Sequence, residues 1–145
     1  MLLISPQQRI LLAVQPLDFR KGMDAIMAFC RQQLETDPMS GILFVFTNRR
    51  RTAIRTLCFD GQGVWLCQKR FSRGRLLWWP AESEGRQREL AARQLQILLW
   101  NGNPEKAALA PLWRPLPIGP VILPAVPDNS KAATARGPVG PLAGE

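Results

Sequence analysis

Gly41-Ile42-Leu43-Phe44-Val45-Phe46-Thr47-Asn48-Arg49-Arg50-Arg51-Thr52 opens the stretch, running on to Pro80, whose reading decides the fold. Ile42–Thr47 is apolar at successive positions, the pattern of a central strand covered on both faces. Ile54–Phe59 and Val64–Arg70 are two further runs of strand length, joined by Asp60-Gly61-Gln62-Gly63. That joint suits a type I turn, with Asp60 accepting backbone hydrogen bonds and Gly63 free to form a bulge. A basic loop, Phe71-Ser72-Arg73-Gly74-Arg75, leads into the last apolar run, Leu76-Leu77-Trp78-Trp79-Pro80. The expected structure is an antiparallel meander with cations on its loops.

The geometry of a meander then makes a spatial prediction. Arg49, Arg50 and Arg51 precede the first arm of the hairpin, and Lys69 and Arg70 end the second. Both sets lie opposite the Asp60 turn, and Arg73 and Arg75 follow on the next loop. The cations are therefore expected on one edge of the sheet. From Arg49 to Arg75 there are eight of them against one acid, Asp60, so this segment supplies +7 of the chain's net charge of +8. Such a cluster makes a local positive field that favours polyanions. Fifteen of the nineteen cations are arginine, whose planar fork matches phosphate and guanine edges. A solvated basic surface would account for scattered charge, but three adjacent arginines in a tight loop repel one another unless an anion is near.

Upstream, Arg9–Val14 reads as a buried strand between Pro6 and Pro16. Met23, Ile26, Met27, Cys30 and Leu34 then share one helical face, ended by Pro38. Arg20 and Lys21 stand just before this helix. Two readings are balanced there: contact with a phosphate near the helix start, or pairing with Asp18 and Asp24. Downstream, Ala81–Gln87 reads as loop, Glu89–Trp100 as a second helix stopped by Asn101-Gly102, and Pro104 to about Ala110 as a short third helix. Trp78 and Trp79 would face opposite ways in a strand. One enters the core. For the other, packing under the last helix is preferred to stacking on a base.

From Pro111 the composition shifts: eight of thirteen prolines lie in 111–145 and aromatics stop at Trp113. The expectation is a folded domain over 1–110 and a flexible Pro/Gly-rich tail over 111–145. The three cysteines, Cys30, Cys58 and Cys67, have no paired spacing and there is no histidine. They read as small buried hydrophobes in a reducing compartment. Zinc ligation, Ser-His and Cys-His nucleophiles, paired catalytic carboxylates and phosphate-binding glycine loops all lack the residues they need. The expectation is no enzyme, no metal and no cofactor. No apolar run reaches the length of a membrane span, and no targeting segment is seen, so a cytoplasmic location is expected.

These residues, taken in order, resemble a known family. Pro16-x-Asp18-x-Arg20-Lys21-Gly22-x-Asp24, Gly41-x-Leu43-Phe44-Val45-Phe46-x-Asn48-Arg49-Arg50-Arg51, Asp60-Gly61-x-Gly63, Lys69-Arg70, Gly74-Arg75 and Trp79-Pro80 are similar to the small accessory protein, TnpB, of the insertion sequence 66 group of bacterial transposons. The likeness runs from about Ile4 to Trp100. Arg55 and Cys58 depart from the pattern, standing where it has a lysine and an aromatic. The resemblance implies a role in transposition beside a separate, larger transposase that holds the catalytic acids.

The sequence reading is thus an α+β domain: an antiparallel sheet of about five strands, two main helices and a tail. The expected function is a non-catalytic accessory of a transposition system, binding DNA through Arg49, Arg50, Arg51, Lys69, Arg70, Arg73 and Arg75, with Arg20 and Lys21 beside them. The competing reading is a protein-interaction module docking on the transposase without touching DNA.

Overall fold

The computed structural model describes residues 4–117. Its centre is a five-stranded sheet: β1 (Ile10–Ala13), β2 (Leu43–Thr47), β3 (Ala53–Phe59), β4 (Val64–Arg70) and β5 (Gln87–Leu90), in the order β4-β3-β2-β1-β5. Helix α1 (Met23–Gln32) lies between β1 and β2 in the chain, and α2 (Ala92–Leu99) follows β5. The β2-β3-β4 meander is antiparallel, with Phe44 opposite Leu57 and Leu57 opposite Leu66. Strand β1 runs parallel to β2, and the helical crossover through α1 is what such a pair requires.

Strand alternation sorts the core into two layers. Leu11, Ala13, Phe44, Phe46 and Leu57 meet Ile26, Met27 and Cys30 of α1 on one face. Ile10, Leu12, Leu43, Val45 and Ile54 meet Leu95 and Leu98 of α2 on the other, together with Leu76 and Trp79. This explains the unbroken apolar runs of β1 and β2, since both strands are covered on both sides. Each fully buried Leu or Phe side chain contributes about 1.5–3 kcal/mol.

Three local expectations are corrected. Leu76–Trp79 is not a strand. It crosses the α2 face as extended chain, with Trp79 buried and its Nε1 donating to the Val14 carbonyl at 3.0 Å. Trp78 lies half-buried in the same layer with the Arg88 guanidinium over its ring at 5.3 Å. The fifth strand is instead Gln87–Leu90, antiparallel to β1, in the stretch read as loop and helix start. Helix α2 accordingly begins at Ala92, where the Gln94 side chain accepts the Ala91 amide at 2.8 Å. Finally, Asn103–Lys106 forms a turn, not a third helix. Positions 111–117 are exposed and carry no regular structure, and the rest of the expected tail lies outside the described residues.

Candidate nucleic-acid interface

The basic end of the sheet is built by two turns tied to each other. The β2–β3 turn, Asn48-Arg49-Arg50-Arg51-Thr52, closes through the Arg51 amide donating to the Asn48 carbonyl at 3.0 Å. Asn48 then secures the far side: its Oδ1 accepts the Thr52 amide at 2.8 Å and its Nδ2 donates to Thr52 Oγ1 at 2.9 Å. Arg51 sits at φ 58°, a left-handed conformation that glycine or asparagine adopts more cheaply. The turn therefore keeps a cation at a position where a cation is conformationally costly.

The Phe71–Arg75 loop docks directly on this turn. The Phe71 amide donates to the Thr52 carbonyl at 2.9 Å, and the Leu76 amide donates to the Arg51 carbonyl at 2.8 Å. Arg73-Gly74-Arg75 turns through Gly74 at φ 78°. Arg70 ends β4 opposite Ala53. Arg49, Arg50, Arg51, Arg70, Arg73 and Arg75 are thus brought to one end of the sheet, all exposed. Among the described residues, none of the six forms a salt bridge.

The remaining expected residues are placed differently. Arg20 grips Asp18, with Nη2–Oδ2 at 2.9 Å and Nε–Oδ1 at 3.0 Å. Hydrogen bonds from the Arg20 side chain and amide hold the Asp18 carboxyl down at about 2. Pairing with Asp18 is thus the reading that applies to Arg20. Lys21 is exposed beside it. Both line an open groove of about 1010 Å³ whose other wall carries Arg49, Arg50 and Arg55. Lys69 turns away to the α2 side, where its Nζ donates to the Leu99 carbonyl at 2.6 Å and lies 4.8 Å from the Trp100 ring. A cation there completes the carbonyl end of the helix.

Two residues outside the expected contact set position this surface. Arg55 lies over the Phe19 ring at 4.3 Å and donates to the Phe19 carbonyl at 3.0 Å, the Lys21 carbonyl at 3.3 Å and Gln68 Oε1. It fixes the Asp18–Lys21 loop to the sheet, and partial burial draws its pKa down from the ordinary arginine value. Asn101 is the second. It ends α2 at φ 62°, its backbone amide donating to the Leu98 carbonyl and the Gly102 amide to the Ile97 carbonyl, the five-to-two and six-to-one bonds of a Schellman stop. Its side chain accepts the Leu77 amide at 2.8 Å and donates to the Arg75 carbonyl at 3.0 Å. The helix end thereby clamps the loop that carries Arg73 and Arg75. An asparagine directly before glycine at a helix end was the available signal for the stop, but not for the clamp.

The chemistry of this end is electrostatic. Among the described residues, six of its guanidinium groups form no salt bridge, and Arg20 holds the Asp18 carboxylate. Among the described residues, no group of three or more acids and cysteines gathers where a metal ion could bind. No helix among them is long and apolar enough to cross a membrane.

Comparison with known proteins places these observations. The family described as IS66 Orf2 like protein matches residues 8–108. The uncharacterized protein y4jC of Sinorhizobium fredii is 36% identical over 74 residues, 51% of this chain and 63% of that protein, so the match spans less than two thirds of y4jC. The uncharacterized protein y4hO of the same organism is 31% identical over 115 residues, 77% of this chain and 93% of that protein. No solved structure matches.

Proposed function

This chain belongs to the IS66 Orf2-like family of insertion-sequence proteins, and from that premise we propose that it is a non-catalytic DNA-binding accessory acting beside a separate transposase. One observation carries the reading: six arginines from two interlocked turns and the end of β4 share one end of the sheet with no carboxylate partner among the described residues. A group of like charges held together by backbone hydrogen bonds repels itself, and a polyanion relieves that repulsion. Arg49, Arg50, Arg51, Arg70, Arg73 and Arg75 contact phosphate; Lys21 extends the surface across the groove. Arg20 and Lys69 contribute less, because Asp18 and the end of α2 already engage them.

The experiment is a binding titration of purified chain with duplex and single-stranded DNA, repeated with Arg49, Arg50 and Arg51 all changed to glutamate. Loss of binding in the variant supports the reading. Undiminished binding rejects it. The competing reading, docking on an acidic face of the transposase, draws on the same charge. Co-purification with the transposase from nuclease-treated, DNA-free lysate, together with no measurable DNA affinity of the chain, would decide for it.

A further inference from the structure

Strand β4 is an edge of the sheet, and its outer backbone has no partner among the described residues. Antiparallel pairing alternates, so the hydrogen bonds flanking the hairpin fix which groups point outward. The Phe71 amide bonds to Thr52 and the Asp60 amide to Gly63, in the same register that pairs Ala53 with Arg70. The odd-numbered residues of β4 therefore turn their backbone groups toward β3. Val64, Leu66, Gln68 and Arg70 turn theirs outward.

We propose that a second copy of this chain pairs here, β4 against β4, antiparallel about a two-fold axis at Cys67. In that register Leu66 exchanges both backbone hydrogen bonds with the partner's Gln68, and Val64 with the partner's Arg70. Cys67 faces the partner's Cys67 in the close, non-hydrogen-bonded position.

Two features of the surface favour this occupant and this register. The first is apolar. Trp65 and Trp100 are 63% and 72% exposed, large indoles left in solvent on the α2 side of the edge. Lys69, directly beside Trp100, stands opposite the partner's Trp65 when the axis lies at Cys67. Pairing therefore covers both indoles and sets Lys69 between them, a favourable place for a cation.

The second is charge. Asp60 accepts the Trp65 Nε1 proton at 2.7 Å, so the lone acid of the stretch is anchored at the turn end of the strand. The two-fold axis brings this acidic end of one copy to the basic end of the other. It also keeps the two Arg70 residues roughly 20 Å apart, about six strand residues. Lys69 and Arg70 otherwise guard the edge, since they oppose pairing with any strand that offers a cation there.

Sedimentation velocity of nuclease-treated full chain over a micromolar concentration series tests this. The expected result is a monomer–dimer equilibrium that Trp65→Lys weakens by about tenfold or more, because a lysine then faces the partner's Lys69. Trp65 is exposed, and a wild-type far-ultraviolet circular dichroism spectrum with a cooperative melt verifies that the variant folds. Independently, copper-phenanthroline with oxygen as oxidant should join two wild-type chains, each thiol losing a proton and an electron to form the disulfide. Cys67→Ser should abolish the product and Cys58→Ser should not. A monomer at every concentration would overturn the proposal. So would a dimer indifferent to Trp65→Lys, or a cross-link that survives Cys67→Ser.

Discussion

The amide of Leu76 donates to the carbonyl of Arg51 at 2.8 Å. That bond joins two loops separated by the whole β3–β4 hairpin, and with Phe71–Thr52 it makes the triple-arginine turn and the Arg73–Arg75 loop one surface. The charge density of the basic end follows from backbone geometry, not from side-chain attraction.

Arg51 holds its left-handed conformation at a cost of about 1–2 kcal/mol relative to glycine. Glycine gives back part of this advantage, about 0.4–1 kcal/mol, because its unfolded chain is freer. Arg51→Gly should therefore stabilise the fold by about 0.5 kcal/mol in urea unfolding while weakening DNA binding. A variant both less stable and unaltered in binding would show that the conformation serves packing.

Asn101 separates into two functions. Asn101→Gly keeps the left-handed helix stop but removes both bonds to the Arg75 loop. Asn101→Ala removes both the bonds and the easy conformation. Unfolding experiments should rank wild type above glycine and glycine above alanine, with alanine lower than wild type by about 1–3 kcal/mol. Amide exchange at Leu77 should speed up in both variants.

Asp18 neutralises Arg20 on the groove wall. Asp18→Asn should free that guanidinium, tighten DNA binding, and steepen the salt dependence by about one contact, roughly 0.9 in slope. The acid side follows from the pKa. Asp18 titrates at about 2 in the fold against its ordinary 3.8, so its contribution is present above about 4 and is lost as pH falls toward 2. Carboxyl carbon NMR should show that low midpoint in wild type and a return toward the ordinary value in Arg20→Ala.

The buried Cys30 thiol gives a check on the core. Burial against α1's side of the sheet pushes its pKa up to about 12. Native protein should leave Cys30 unmodified by iodoacetamide at neutral pH, and urea should expose it. Rapid native alkylation at Cys30 would mean that α1 does not stay docked.

Much of this arrangement was legible in the chain because its signals are local. Apolar runs between turn residues marked β1 to β4, and helical spacing marked α1. Strand β5 was not legible: Gln87-Arg88-Glu89-Leu90 buries only Leu90, and a short edge strand has no periodicity to show. The parallel sense of β1 and β2 depends on the crossover between them, which composition does not encode. Leu76–Trp79 has the residues of a strand, yet its groups are taken up by Val14, Asn101 and Arg51. The arginines that gather at the basic end could be listed from sequence, because charge clustering survives any turn geometry. The supports, Arg55 and Asn101, could not be, since their roles exist only where distant segments meet.

The basic end of the sheet is expected to bind DNA by releasing counterions from phosphate. The most direct measurement is the DNA association constant as a function of salt. With about five of the six arginines on phosphate at once, log affinity should fall against log salt with a slope near −4 to −5, and Arg49, Arg50 and Arg51 changed together to alanine should flatten it by about 2 to 3. A slope near zero, or one that the triple variant leaves unchanged, would contradict the claim that this surface binds DNA.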